Sequence, residues 1–122
     1  MKVMIVDDSQ FIHMAVKSAL VPAGYEICGT FNNGAEAVEA YANLKPDLLI
    51  MDVTMPVMDG ITAARKILSD FPDAKIMMLT AMGREDLVLE AKEIGVKAYK
   101  TKPFKANELI AVVDGIFLPC KN

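Results

Sequence analysis

A run of four apolar residues that ends in one carboxylate limits most strongly how this chain can fold. The run covers residues 48–51, and Asp52 follows it directly. Pro56 and the pair Asp59-Gly60 come next, and these residue types favour turns. A short apolar run between turn signals is typical of a strand buried on both faces of a parallel sheet. Because ligands bind at the carboxyl ends of such strands, Asp52 is a candidate functional residue.

Apolar patterns elsewhere alternate between strand and helix along the whole chain. Short apolar runs predict four more strands, at residues 3–6, 25–31, 75–79 and 96–101. Helical spacing predicts five helices, one after each strand, the last at residues 104–118. On the first helix the predicted inner face carries Phe11, Ile12, Ala15, Val16, Ala19 and Leu20. We therefore expect one domain over residues 1–122, an α/β fold with a doubly wound five-stranded parallel sheet and five helices.

Composition argues against several classes of protein. Hydrophobic residues make up 53% of the chain, but no apolar run approaches the roughly 20 residues of a membrane span. The net charge of −3 disfavours a nucleic-acid partner. Cys28 and Cys120 have neither disulfide nor metal-site spacing, and residues 1–4 lack the long apolar stretch and small-residue cleavage site of a signal peptide. We expect a cytoplasmic protein with two reduced thiols and no membrane partner.

Polar residues at the carboxyl ends of four predicted strands would converge on one crevice. The first strand ends in Asp7 and Asp8, the third in Asp52, the fourth in Thr80 and the fifth in Lys102. Three neighbouring carboxylates repel one another and need cations, and an all-oxygen ligand set favours a hard ion such as Mg²⁺. A carboxylate nucleophile beside Mg²⁺, a lysine and a hydroxyl suits phosphoryl transfer to Asp52.

Each of these residues alone also has a purely structural interpretation. Asp52 could end its strand and cap the next helix, and Asp7-Asp8 could cap the first helix. Thr80 could satisfy the backbone, and Lys102 could be a solvated side chain. The combination of acids, hydroxyl and lysine at four strand ends favours the functional interpretation.

The same residues lie in segments that resemble the receiver domain of two-component response regulators, in its stand-alone chemotaxis (CheY-like) form. The matching segments are Val-Asp-Asp-Ser (6–9), Leu-Ile-Met-Asp-Val-Thr-Met-Pro-Val-Met-Asp-Gly (49–60), Leu-Thr-Ala (79–81) and Lys-Thr-Lys-Pro-Phe (100–104). The resemblance extends over essentially the full chain, and the combined signature is specific.

The resemblance implies how the acids would act. Asp52 would be the phospho-acceptor and would take its phosphoryl group from a phosphohistidine on a sensor histidine kinase. Asp8 would bind Mg²⁺ directly and Asp7 mainly through water. Asp52 and the main-chain carbonyl of Thr54 would complete the protein ligands.

The resemblance also implies how the phosphoryl group would be held and sensed. Thr80 would move inward to donate a hydrogen bond to it, Lys102 would pair with it, and the small Ala81 would leave access open. Tyr99 would be the switch aromatic, whose exposure changes as Thr80 moves. The bond between Lys102 and Pro103 would be a cis peptide.

Two further positions, Thr54 and Met82, lie two residues after Asp52 and Thr80. In the family these positions influence how long the phosphoryl group survives. Neither residue is an acid or an amide that could orient an attacking water, so we expect slow self-dephosphorylation.

His13 is the only histidine. It follows Ile12 on the predicted first helix but lies off the predicted inner face. We expect a partly exposed structural residue rather than a site of phosphohistidine chemistry.

Four lysines flank the last predicted strand and its neighbouring helices: Lys92, Lys97, Lys100 and Lys105. They could simply form a solvated face. The resemblance favours a partner surface made by the fourth helix, fifth strand and fifth helix.

These expectations describe a phosphorylation-activated switch, not an enzyme beyond its own phosphorylation and dephosphorylation. The chain ends at Asn122, after the last predicted helix. We therefore expect a stand-alone regulator that carries the kinase signal to a protein target such as the flagellar motor switch. Alternatives are a phosphorelay intermediate that passes the group to a histidine phosphotransfer protein, and a receiver cut from a longer regulator. An aspartyl-phosphate hydrolase is disfavoured because Thr54 stands where those enzymes need a second Asp.

Overall fold

A computed structural model describes residues 1–117 and shows five parallel strands in one sheet, with a helix after each strand. The elements are β1 (Lys2–Val6), α1 (Gln10–Leu20), β2 (Glu26–Phe31), α2 (Gly34–Leu44), β3 (Leu48–Asp52), α3 (Gly60–Asp70), β4 (Ile76–Ala81), α4 (Glu85–Glu93), β5 (Ala98–Lys102) and α5 (Ala106–Phe117). The strand order is β2-β1-β3-β4-β5, so the predicted doubly wound sheet is confirmed. The predicted end of the last helix at Leu118, and Cys120, lie outside the described residues.

A polar side chain caps the start of each of three helices, α1, α2 and α3. Ser9, Asn33 and Asp59 each accept a hydrogen bond from the backbone N–H three residues further on. Such caps satisfy N–H groups that have no partner within the helix. As a result, α1, α2 and α3 all begin at the carboxyl edge of the sheet, where the candidate site lies.

β3 lies at the centre of the sheet, and all five of its residues are buried. Its side chains alternate between two hydrophobic cores. Leu48 and Ile50 pack on the face covered by α1 and α5, while Leu49 and Met51 pack on the face covered by α2, α3 and α4. Burial on both faces explains the continuous apolar run, because neither face of a central parallel strand meets water.

The inner face of α1 differs from the predicted one. The buried residues are His13, Val16, Ala19 and Leu20. Phe11 is 77% exposed, so its assignment to the core was wrong, and the expectation that His13 is partly exposed was also wrong. The physical reason is that the buried imidazole has main-chain partners at the sheet edge, whereas rotating Phe11 inward would require His13 to leave them.

β5 begins and ends slightly later than predicted. It runs from Ala98 to Lys102, and its pairing with β4 continues to Ala81 opposite Lys102. Lys102 is therefore the last residue of the strand rather than the residue after it. Among residues 1–117, no helix is long and apolar enough to cross a membrane.

Candidate functional site

Three carboxylates meet at the carboxyl edge of β1 and β3. These strands are parallel neighbours in which Val6 lies opposite Met51, so the next residues, Asp7 and Asp52, lie side by side. Asp8 joins them, and one oxygen from each carboxylate lies within 4.8 Å of the others. Asp7 is fully buried and Asp52 is 6% exposed, whereas Asp8 faces solvent. The cluster therefore has one open side.

One lysine reaches this acidic cluster from the far side of β4. The Nζ atom of Lys102 lies 3.1 Å from Oδ2 of Asp7 and 3.4 Å from Oδ1 of Asp52. A single ammonium group therefore contacts both buried carboxylates. The Lys102–Pro103 peptide bond that follows is cis.

The charges in the cluster do not balance without a further cation. Burial, followed by the charge of Asp7, raises the pKa of Asp52 from 3.8 to about 6, although Lys102 and the Thr54 N–H act in the opposite direction. Three ionised carboxylates against one ammonium leave two negative charges uncompensated. A divalent ion with oxygen ligands would balance them, and the open side at Asp8 leaves room for water. The donor set therefore fits Mg²⁺.

Thr80 lies at the end of β4, between the acids and β5. Its side chain is buried, and among residues 1–117 its hydroxyl donates one long hydrogen bond, 3.3 Å, to the carbonyl of Ala81. Ala81 and Met82 beyond it are exposed. The four strand ends singled out from the sequence thus lie along one edge of the sheet, with direct contacts among Asp7, Asp52 and Lys102.

A profile of the response regulator receiver domain matches residues 3–114 of this chain. The chain belongs to this family. Similar proteins include the chemotaxis protein CheY of Thermotoga maritima, 43% identical over 94% of this chain and 96% of that protein. CheY of Bacillus subtilis is 42% identical over 93% of this chain and 94% of that protein.

A solved structure extends the comparison to three dimensions. The CheX-CheY-BeF3-Mg²⁺ complex from Borrelia burgdorferi contains a chain that matches with a TM-score of 0.92 and 34% identity, covering 96% of this chain and 89% of that one. Another relative, the transcriptional regulatory protein PdtaR of Mycobacterium tuberculosis, is 44% identical over 93% of this chain but only 55% of its own length. Receiver domains are signalling switches that bind Mg²⁺ at an acidic pocket and act with histidine kinases and downstream targets.

In this receiver domain, the segment between β3 and α3 is held close to the acids by two glycines. The N–H of Gly60 donates to the carbonyl of Val53 at 2.7 Å, and a Cβ on Gly60 would lie only 2.1 Å from the Asp52 carbonyl oxygen. The N–H of Gly34 donates to the carbonyl of Met58 at 3.0 Å, and a Cβ there would lie 2.5 Å from that oxygen. Only glycine permits both approaches.

The same segment contains a rare backbone conformation at Val57. Its φ is 70°, and the N–H of Met58 bonds back to the carbonyl of Pro56 at 2.7 Å, which describes a tight γ-turn around Val57. A β-branched residue with positive φ is strained. The Val57 side chain is 82% exposed, so packing does not compensate for that strain.

Tyr99 lies on β5 on the same face of the sheet as Thr80. In the parallel register Tyr99 is opposite Met78, and Thr80 is two residues further along β4. The ring is 40% exposed, and the Nζ of Lys92 lies 5.3 Å from its centroid. This arrangement places a cation on an aromatic ring at the surface.

The four lysines of the predicted partner surface do not share one environment. Lys92 contacts Tyr99, and Lys100 lies 3.5 Å from Oε1 of Glu108. Lys97 and Lys105 are exposed. Lys97 lines a cavity at the amino end of β5, at the other end of the strand from Lys102. Two of the four lysines thus contact a side chain of opposite charge or an aromatic ring, and the four do not form one continuous basic patch.

His13 is the residue near this site that sequence reasoning missed. Its Nε2 lies 2.7 Å from the main-chain oxygen of Asp7 and 3.1 Å from that of Phe31. The spacing of His13, Val16 and Leu20 would have placed all three on one helix face. That signal was obscured because Phe11, Ile12 and Ala15 form a second apolar set at helical spacing.

Proposed function

We propose that residues 1–122 form one receiver domain, a cytoplasmic switch in which Asp52 accepts a phosphoryl group from a sensor histidine kinase. The observation that carries the proposal is the contact of Lys102 with both Asp52 and Asp7 in a crevice with one open side. Asp52 is the buried carboxylate that meets another acid and the lysine at the end of the central strand, where a reacting group can enter.

In the proposed reaction, a carboxylate oxygen of Asp52 forms a bond to phosphorus as the P–N bond of the phosphohistidine breaks. The imidazole leaves with the electron pair of that bond. Asp7, Asp8, Asp52 and the Thr54 carbonyl would hold Mg²⁺, whose charge would neutralise the phosphoryl oxygens. Lys102 would exchange its contacts with Asp7 and Asp52 for a phosphoryl oxygen.

The phosphoryl group would then change the surface through Thr80 and Tyr99. The Thr80 hydroxyl donates a long hydrogen bond, 3.3 Å, to the carbonyl of Ala81, so little is lost when it turns to donate to a phosphoryl oxygen. The space it leaves is on the face where Tyr99 lies. An inward-turned Tyr99 would uncover the surface between α4 and β5. The phosphoryl charge on Asp52 would in this way change the surface that a partner binds.

The output we propose is chemotaxis control through a protein target, such as the flagellar motor switch, that binds the face made by α4, β5 and α5. The support is that CheY relatives match over almost their whole length. The exposed Leu89 and Tyr99 on that face provide apolar contact area. The alternatives are a phosphorelay intermediate and the receiver of a longer regulator. The second is supported by PdtaR, a longer protein of which the match covers only 55%.

We also propose slow self-dephosphorylation. Thr54 and Met82 are both exposed at the crevice, and neither provides a carboxylate or amide to orient water. The measurement is the decay of phosphorylated protein in Mg²⁺ buffer, compared between wild type and Thr54→Asp. A half-life of seconds for wild type would contradict the proposal. The same threonine argues against an aspartyl-phosphate hydrolase acting on other substrates.

The main test is intact-mass measurement after incubation with acetyl phosphate and Mg²⁺. We expect one phosphoryl adduct on wild type, none on Asp52→Asn, and none for wild type in EDTA. Asp70→Asn is the matched control, because Asp70 is an exposed acid at the end of α3. Absence of an adduct on folded wild type, or its persistence in Asp52→Asn, would refute the assignment.

A further inference from the structure

His13 donates a buried hydrogen bond to the backbone of the acidic cluster. The side chain is 4% exposed, and its Nε2 lies within bonding distance of two main-chain oxygens, those of Asp7 and Phe31. A carbonyl oxygen can only accept, so Nε2 carries the hydrogen and shares it between them. The rest of the buried face of α1 is apolar, and His13 is its only polar member.

The carbonyl of Asp7 belongs to the peptide group that links Asp7 to Asp8. The N–H of Asp7 is also held, because it donates to the Phe31 carbonyl at 3.0 Å. The carbonyl oxygen of Phe31, at the end of β2, therefore accepts hydrogen bonds both from Asp7, which follows β1, and from His13 on α1. Since the backbone is restrained on both sides of the Asp7 Cα, the directions in which Asp7 and Asp8 extend their carboxylates are restrained as well.

The Asp7 side chain is fixed by separate bonds. Its Oδ1 accepts from the Ser9 N–H at 2.9 Å, and its Oδ2 accepts from Lys102 at 3.1 Å. The carboxylate of exposed Asp8 has no comparable support among the hydrogen bonds of residues 1–117. The orientation of Asp8 therefore depends most on the backbone that His13 holds.

We propose that His13 is a positioning residue for the cation site, which holds the Asp7–Asp8 peptide so that both acids can bind one Mg²⁺ ion. The inference rests on the proposed function, because it concerns the ion of that same site. The effect passes through a hydrogen bond to a main-chain oxygen, so His13 itself does not touch the ion. Loss of such supporting bonds weakens metal affinity about 10-fold or more in other metal sites.

The test is a titration of ¹⁵N-labelled protein with MgCl₂, followed by amide resonances, for wild type and three variants. His13→Leu fills similar space without a donor, and His13→Gln keeps an N–H at a similar reach. Val16→Ala is the matched control, because Val16 is fully buried on the same helix face, one turn further from the acids. Thermal unfolding of each metal-free variant is measured in parallel.

We expect His13→Leu to weaken Mg²⁺ binding about 10-fold, His13→Gln to restore most of the affinity, and Val16→Ala to leave it unchanged while lowering the unfolding temperature. If His13→Leu bound Mg²⁺ as tightly as wild type, or if His13→Leu and Val16→Ala lost equal Mg²⁺ affinity, the positioning role of His13 would be wrong while the proposed function would stand. Failure of wild type to bind Mg²⁺ would instead overturn the proposed function together with this inference.

A measurement on the unaltered protein covers the case in which His13→Leu does not fold. Long-range ¹H–¹⁵N correlation of the imidazole should show the Nε2–H tautomer, with its ring signals shifting as Mg²⁺ is added. The proposal would be contradicted by an Nδ1–H tautomer. It would also be contradicted if the ring signals of His13 did not shift on addition of Mg²⁺ while the amide signal of Asp8 did.

Discussion

Lys102, the last residue of β5, extends past β4 to bring its Nζ within 3.4 Å of Oδ1 of Asp52, the last residue of β3. The lysine side chain is mostly buried, and the carboxylate almost entirely so. In such surroundings a charge is costly unless it is paired. The lysine therefore stabilises the ionised acids in the absence of a metal, and it lies where a phosphoryl group on Asp52 would need a cation.

We expect Lys102→Met to destabilise the metal-free protein by about 1–2 kcal/mol at pH 7.5, because two buried carboxylates lose their shared cation. Removing Lys102 takes away an influence that lowers the pKa of Asp52, so that pKa rises further above 6. Protonation of Asp52 at pH 5 should then reduce the loss of unfolding free energy caused by Lys102→Met. Urea unfolding in EDTA at both pH values measures this, with the exposed Lys66→Met as control. An equal penalty at pH 5 and pH 7.5 would contradict the argument.

Asp52→Asn should stabilise the metal-free protein at neutral pH. The pKa of Asp52 is raised from 3.8 to about 6, so the folded state holds the proton more tightly than the unfolded state. The ionised carboxylate therefore costs stability above about pH 6, and the cost disappears as the pH falls towards 4.

After a discount for solvent access, the gain from Asp52→Asn is about 1–2 kcal/mol at pH 7.5. Urea unfolding in EDTA from pH 4.5 to 8 provides the measurement. The unfolding free energies of wild type and Asp52→Asn, plotted against pH, should converge at the acidic end of this range. A gain that is constant across this range would mean that ionisation of Asp52 is not its source.

The sheet and the convergence of its strand ends could be predicted because both follow from local patterns. The apolar run before Asp52 marks a strand buried on both faces, and parallel strands bring their carboxyl ends to one edge. The positions of Asp7, Thr80 and Lys102 along that edge then follow from chain order and right-handed crossovers. Their chemical roles remain predictions until a phosphoryl group is detected on Asp52.

The orientation of α1 could not be predicted from the same patterns. Two overlapping apolar sets are compatible with its spacing, and hydrophobicity favours the one with Phe11 inside. The bonds from His13 to Asp7 and Phe31 favour the other set, and the second of these spans 18 residues. The positive φ of Val57 and the contact of Gly34 with Met58 likewise depend on tertiary structure. Neither the positive φ of a valine nor a contact between residues 34 and 58 has a local sequence signal.

Gly34→Ala should weaken Mg²⁺ binding although Gly34 is not one of the proposed ligands. The new Cβ would lie 2.5 Å from the carbonyl oxygen of Met58, so the β3–α3 segment that carries Thr54 must move. We expect a loss of about 1–3 kcal/mol in unfolding free energy, together with weaker Mg²⁺ binding and slower phosphorylation by acetyl phosphate.

Gly115→Ala is the control for Gly34→Ala. Within residues 1–117, apart from its chain neighbours and its own helix backbone, no heavy atom lies within 4 Å of the Cβ position on Gly115 in α5. Alanine favours a helix over glycine, so this variant should gain roughly 0.5–1 kcal/mol and phosphorylate normally. Unfolding in urea and a Mg²⁺ titration distinguish the two glycines. Normal Mg²⁺ affinity in Gly34→Ala would show that the segment does not position the ligands.

Val57→Gly should stabilise the protein even though it removes a side chain. The positive φ of Val57 costs roughly 1–3 kcal/mol. Glycine adopts this conformation freely but makes the unfolded chain more flexible, which subtracts about 0.5–1 kcal/mol. The net gain should therefore be about 1 kcal/mol, measured by urea unfolding. Val21→Gly is the matched control, because Val21 is also exposed but has an ordinary φ of −61° and lies at the end of α1. That variant should lose stability, and the same sign for both substitutions would show that Val57 is not strained.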